Sequence, residues 1–151
     1  MENEIFIVGG REFTCVPMNA FEANKLLLRL QKILLPAFGS LTNGISKGSN
    51  FLDMDVSEAA VILSEKLDEG IMESIVIPMF KSSQLYCASE KIKLDSSTNI
   101  DRLFTVKNLF DLYELIFLVG KYQFGPFFIT LAEFITNRIK GEELKKNIQE
   151  K

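Results

Sequence analysis

Residues 108–135 read NLFDLYELIFLVGKYQFGPFFITLAEFI and hold six of the 13 phenylalanines in the chain. Phe110, Phe117 and Phe124 recur every seven residues, so on a helix they lie close to one face. A helix that is apolar around most of its circumference is normally buried on several sides. Two interpretations follow: this is the central helix of a small domain, or Phe110, Phe117, Phe124, Phe127 and Phe128 form an apolar surface that binds a partner.

The same stretch predicts two helices, at 106–124 and 126–138, because Pro126 follows Gly125 in its middle and proline favours a helix start. The charged residues in this stretch exclude a membrane-spanning helix. Asp111, Glu114 and Lys121 interrupt the apolar run, and each charge at a bilayer centre would cost about 2.5–3.5 kcal/mol.

Near the N-terminus, residues 4–17 predict a β-hairpin. Two β-prone runs flank Gly9 and Gly10, which supply the positive φ values of a tight turn. With a two-residue loop, Phe6 faces Phe13 across the hairpin. A phosphate-binding loop is excluded because the dinucleotide fingerprint needs three spaced glycines that open a helix.

Three further helices are predicted at 19–38, 55–70 and 71–81, with Gly70 closing the second and Pro78 distorting the third. In the first, Glu22, Lys25, Arg29 and Lys32 lie on a face that we expect to be solvated and not to be a nucleic-acid site, because no aromatic residues are interleaved with it. The buried face is predicted to contain Phe21, Leu26, Leu27, Leu30, Ile33, Leu34 and Phe38. The Gly/Ser-rich stretch 39–50 is long for a compact connection and is expected to be flexible or ordered by a partner. Residues 85–94 are compatible with two short strands.

Together these patterns predict a mainly α (α+β) protein, in which a small N-terminal hairpin packs on a bundle of about five helices. With 151 residues, the chain is long enough for one domain with a real core. We place this domain at 1–138. The charged segment 139–151 is expected to be a flexible tail.

Composition argues against catalysis and against several classes of ligand. The chain has no histidine, which removes the commonest general base and metal ligand. Cys15 and Cys87 stand far apart in apolar surroundings and are expected to be buried free thiols. No metal, cofactor or catalytic site is predicted. With a net charge of −3 and no basic block, nucleic-acid binding is not expected either.

Both ends of the sequence resemble the tail assembly chaperones of tailed bacteriophages. The N-terminal stretch IFIVGGREFTCVPMNAFEANKLLLRL matches the opening of that family: a hairpin around Gly9-Gly10-Arg11, a proline after the second strand, then a leucine-rich helix. The C-terminal stretch LYELIFLVGKYQFGPFF is similar to the C-terminal part of proteins in that family. The family usually has asparagine before the Phe-Gly pair, and Gln123 stands there in this chain.

This resemblance implies a non-structural phage protein that acts in the cytoplasm of the host bacterium and is absent from the finished virion. Such chaperones are thought to bind the tape measure protein, keep it soluble and help the tail tube assemble around it. The tail tube protein is a second implied partner, and a homo-oligomer is expected. The alternative is a structural or adaptor protein that remains in the particle or in another complex.

Overall fold

The structure, a computed structural model, describes residues 3–37 and 55–149. A small antiparallel sheet near the N-terminus packs on helices, which confirms the predicted fold class. The predicted loop 39–50 lies outside the described residues. In chain order the elements are β1 (Glu4–Val8), β2 (Arg11–Cys15), α1 (Ala20–Ala37), α2 (Val56–Lys66), α3 (Glu69–Ile71), a π-helical segment (Met72–Val76), α4 (Ile77–Ser82), β3 (Tyr86–Cys87), β4 (Ile92–Lys93), α5 (Ser97–Leu103), a 3-10 turn (Val106–Asn108) and α6 (Leu109–Gln149).

The predicted hairpin is present, with Phe6 opposite Phe13. Gly9 and Gly10 form its turn with φ values of 57° and 76°, which side chains rarely tolerate. Residues 85–94, for which the sequence is ambiguous, do contain two short strands, and β3 pairs with β2, so the sheet has the order β1-β2-β3-β4. Arg11 anchors the turn end of the hairpin, because its guanidinium donates to the carbonyl of Leu103 and lies 6.0 Å from the centre of the Phe104 ring.

The prediction of two helices separated at Pro126 is wrong. A single helix, α6, extends from Leu109 to Gln149 through Pro126. A proline usually disfavours helical geometry in the preceding residue, because its ring meets that residue's Cβ. The preceding residue here is Gly125, which has no Cβ, so this steric conflict is reduced. Residues 139–149, predicted to belong to a flexible tail, continue the helix; the tail's flexibility and the domain limit at 138 stay predictions.

The predicted end of α2 at Gly70 is also wrong. The helix starts where expected, after Asp55, whose side chain accepts from the Ser57 amide at 3.3 Å. It ends at Lys66, because Asp68 caps a new helix by accepting from the Ile71 amide at 2.8 Å. An aspartate cap satisfies amides that the start of a helix leaves without partners. Gly70 therefore lies inside α3 and does not end α2.

The distortion predicted at Pro78 takes the form of the π-helical segment just before it. The amide of Ile77 donates to the carbonyl of Met72, five residues earlier. Pro78 has no amide hydrogen for the carbonyl of Ser74, four residues earlier. Instead, Nη1 of Arg29 on α1 donates to that carbonyl at 2.8 Å. Arg29, which was expected on a solvated face, therefore links α1 to the π-helical segment.

The core lies between the inner face of the sheet and the helices. Its most completely buried large side chains come from β2, α1, α4, the strands β3 and β4 with their flanks, and α6. They include Phe13, Leu26, Phe80, Leu85, Leu94, Leu115 and Val119. The first half of α6 is thus the central helix of this core, which is the first of the two interpretations of the phenylalanine-rich stretch.

Candidate partner-binding surface

The five phenylalanines predicted to bind a partner occupy different environments. Phe117 and Phe124 are only 3% and 5% exposed, so their rings cannot contact another molecule in this conformation. Phe110 and Phe127 are 42% and 41% exposed. Phe128 is half-buried against the core, and its ring meets that of Phe127 edge-on with centroids 5.5 Å apart. Of the predicted set, Phe110 and Phe127 are the side chains most open to a partner.

Beyond Phe128, helix α6 leaves the core. Every residue from position 129 to position 140 whose burial is described is exposed, as is Glu142, and we call residues 129–149 the C-terminal arm. The arm exposes large apolar groups, with Ile129 at 51% and Phe134 at 63%. Phe127 and Phe134 are seven residues apart and therefore lie near one face of the helix. A single helix in water gains little stability from its own hydrogen bonds, so an arm that exposes Ile129 and Phe134 among charged residues is suited to packing these apolar groups against another helix.

Helix α6 also contains a polar contact that the sequence did not reveal. The side-chain oxygen of Gln123 accepts from the Met18 amide at 3.0 Å, while its nitrogen donates to the Val16 carbonyl at 2.7 Å. The same nitrogen donates to the hydroxyl of Ser83 at 2.8 Å. These bonds hold the connection between β2 and α1 around Pro17. The signals in the sequence were an uncharged polar residue within a largely apolar stretch of helix and the family resemblance, in which asparagine usually stands at this position.

Helix α1 differs from the prediction on its solvent side. Phe21, expected to be buried, is 91% exposed, and Leu28 is 52% exposed. Lys25 and Lys32 are exposed as well. These four residues follow one another at intervals of four, three and four, so they form one ridge along the helix. The buried side of α1 includes Leu26, which is 1% exposed.

Two titratable groups near the hairpin, the Cys15 thiol and the Tyr122 hydroxyl, lie where burial disfavours their charged forms. Burial, together with the nearby Glu4 carboxylate, raises the pKa of the Cys15 thiol to about 12. Burial also raises the pKa of Tyr122, with Cys15 and Glu4 adding to the shift. Cys15 and Cys87 are both buried and free. Within residues 3–37 and 55–149, no three acidic or cysteine side chains meet as a metal site, and no helix is long and apolar enough to span a bilayer.

The hairpin, the leucine-rich α1 and the aromatic α6 are the elements to which known families can be compared. A family model described as phage tail assembly chaperone protein, TAC, matches residues 9–135. The chain belongs to this family of phage tail assembly chaperones. The match begins in the hairpin turn and ends in the C-terminal arm, so it includes α1 and the exposed phenylalanine Phe127. No curated protein and no solved structure matches the chain.

Proposed function

We propose that this tail assembly chaperone binds helical segments of the phage tape measure protein and keeps them soluble until the tail tube assembles around them. The observation that supports the proposal is the C-terminal arm, where the helix leaves the core with the apolar side chains of Ile129 and Phe134 exposed among charged residues. An amphipathic helix offered in this way can pack against apolar helices of another chain. The role needs no catalytic group and no cofactor.

Phe127 and Phe134 are the proposed anchors, since both are exposed and lie near one face of α6. Phe110 is exposed at the opposite end of the helix and forms a second candidate contact. Phe117 and Phe124 are buried, so they are not proposed to contact the client. The proposed site therefore contains fewer of the phenylalanines that the sequence pattern suggested. It also includes Phe134, which lies further along α6 than any of them.

We further propose that the chaperone self-associates when no client is present. Val106, Leu109 and Phe110 lie within five positions of one another in sequence and are 88%, 38% and 42% exposed. Such a group of apolar side chains favours contact with another copy. Sedimentation velocity should show an average mass that rises with protein concentration. A monomer at all concentrations would count against this part of the proposal.

The client proposal is tested by co-expressing the chaperone with the tape measure protein and measuring how much of the latter stays soluble. Loss of an interface aromatic commonly costs about 2 kcal/mol of binding. We expect Phe127→Ala combined with Phe134→Ala to leave melting nearly unchanged and to move the tape measure protein into the pellet. Val61→Ala is the matched control, because Val61 is a 50% exposed apolar residue on α2.

Unchanged solubility of the tape measure protein with the double variant would overturn this binding site. Mass spectrometry of purified particles tests the proposed place of action in the host cytoplasm. A chaperone of this kind is absent from the virion, whereas a structural or adaptor protein is retained in it. Binding of the tail tube protein, the second proposed partner, can be measured in the same co-expression experiment.

A further inference from the structure

The ridge on α1 has an ordered chemical pattern: Phe21, Lys25, Leu28 and Lys32 alternate apolar and basic side chains along the solvent side. Phe21 and Leu28 are about 10.5 Å apart along the axis, by the rise of 1.5 Å per residue. Apolar residues that recur every seven positions on a facing helix have the same separation along its axis. The ridge thus has the spacing of one side of a helix–helix contact.

The charged neighbours of the ridge are directed to other parts of the protein. Glu22 accepts a hydrogen bond from the Ser82 hydroxyl at 3.5 Å, and Arg29 donates to the Ser74 carbonyl. The four residues of the ridge carry two charges, both positive, from Lys25 and Lys32, while the exposed Glu22 beside them keeps its negative charge. In the described part of the chain, no ion pair joins either lysine to an acidic residue.

The charge of the ridge indicates the chemistry of its partner. We propose that the ridge docks an amphipathic helix of another polypeptide, in which leucine-like residues are flanked by aspartate or glutamate. Phe21 and Leu28 would pack between the apolar residues of that helix, and the two lysines would pair with its acids. The whole protein has a net charge of −3, which disfavours a polyanion or an anionic membrane as the ligand. This surface lies on a different element from the C-terminal arm and does not depend on the proposed function.

The test uses the full-length protein and two labelled synthetic helices of about 20 residues, long enough to be helical. Both have leucines at heptad spacing; one has glutamates beside them and the other lysines. Fluorescence anisotropy should show binding of the acidic peptide at least about tenfold tighter than the basic one at low salt. The double variant Lys25→Glu with Lys32→Glu should reverse this preference.

Phe21→Ala combined with Leu28→Ala should weaken binding of the acidic peptide and leave urea unfolding nearly unchanged, because both side chains are more than half exposed. The matched control is Val61→Ala with Lys66→Glu on α2, which removes an exposed apolar group and an exposed lysine elsewhere. The proposal is overturned if the ridge variants bind both peptides as the unaltered protein does. It is equally overturned if the ridge binds duplex DNA or phosphatidylglycerol vesicles and shows no preference between peptides.

Discussion

The carboxamide of Gln123 donates a hydrogen bond to the hydroxyl of Ser83 at 2.8 Å, across the junction between α6 and the end of α4. Ser83 is itself completely buried, and its carbonyl accepts from the Val16 amide at 2.8 Å. Gln123 also pairs with the backbone on both sides of Pro17. The two residues thus connect three segments that are far apart in sequence: the end of the hairpin, the end of α4 and the middle of α6.

We expect Gln123→Ala to lower the free energy of unfolding by about 2–4 kcal/mol, because it leaves the Met18 amide, the Val16 carbonyl and the Ser83 hydroxyl without their partner. Urea unfolding followed by circular dichroism measures this change. Lys121→Ala, on the exposed side of the same helix, is the control and should have little effect. Equal stability of the two variants would show that the Gln123 contacts add little.

The sequence was sufficient for features that depend on near neighbours. The hairpin followed from Gly9, Gly10 and alternating strands, and the start of α2 followed from Asp55. Heptad spacing showed that Phe110, Phe117 and Phe124 lie near one side of a helix, but not what that side contacts. Contact with the body of the protein buries the later two rings, whereas Phe110 lies in the first turn and remains partly exposed.

Features that depend on distant residues were missed. The pairing of β2 with β3 joins segments about seventy positions apart, and no local pattern specifies it. Helix α1 is apolar around much of its circumference, so periodicity alone could not choose which side faces inward. Periodicity therefore predicts Phe21 in the core, whereas it lies on the ridge with Lys25. The helix through Pro126 is a different case, because its cause is local: proline is typical of a helix start, but Gly125 before it has no Cβ to conflict with the proline ring.

The two turn glycines should differ in their tolerance of side chains. Gly10 has open space around it, so Gly10→Ala should cost about 1 kcal/mol, from its positive φ alone. A Cβ on Gly9 would lie 2.5 Å from Oδ2 of Asp111, so Gly9→Ala should cost more. The difference should shrink in an Asp111→Ala background, where the crowding atom is gone. Thermal melting of Gly9→Ala and Gly10→Ala, each with and without Asp111→Ala, tests this. Equal costs at both glycines would contradict it.

Stability should fall at alkaline pH because of Cys15. Its pKa is raised to about 12 in the folded protein, from an ordinary value of 9.0, so folding favours the neutral thiol. The resulting stabilisation is fully present below pH 9.0 and is lost as the pH rises from there towards 12. Urea midpoints at neutral and alkaline pH should therefore fall less steeply for Cys15→Ala than for the unaltered protein. Parallel pH profiles would contradict this role of the thiol.

The phenylalanines of α6 should separate into core and surface residues when each is replaced by alanine. Phe124→Ala should cost about 3–5 kcal/mol, because it leaves a cavity in the core. Phe110→Ala should cost about 1 kcal/mol or less, since its ring is 42% exposed. Chemical unfolding of the two variants measures the contrast. A small cost at Phe124 would mean that this ring is not part of the packed core.

Arg29 and Pro78 should be energetically coupled through the Ser74 carbonyl, to which Arg29 donates at 2.8 Å. Arg29→Met keeps most of the apolar stem but removes the donor, and should cost about 1–3 kcal/mol, as expected for a hydrogen bond from a charged group. Pro78→Ala restores an amide that can donate to Ser74 within an ordinary α-helical turn. In that background Arg29→Met should therefore cost less, because the carbonyl has a second donor. A double-mutant cycle measured by urea unfolding gives the coupling directly. Strictly additive costs would mean that the carbonyl left free by Pro78 is not the reason why Arg29 stabilises the π-helical segment.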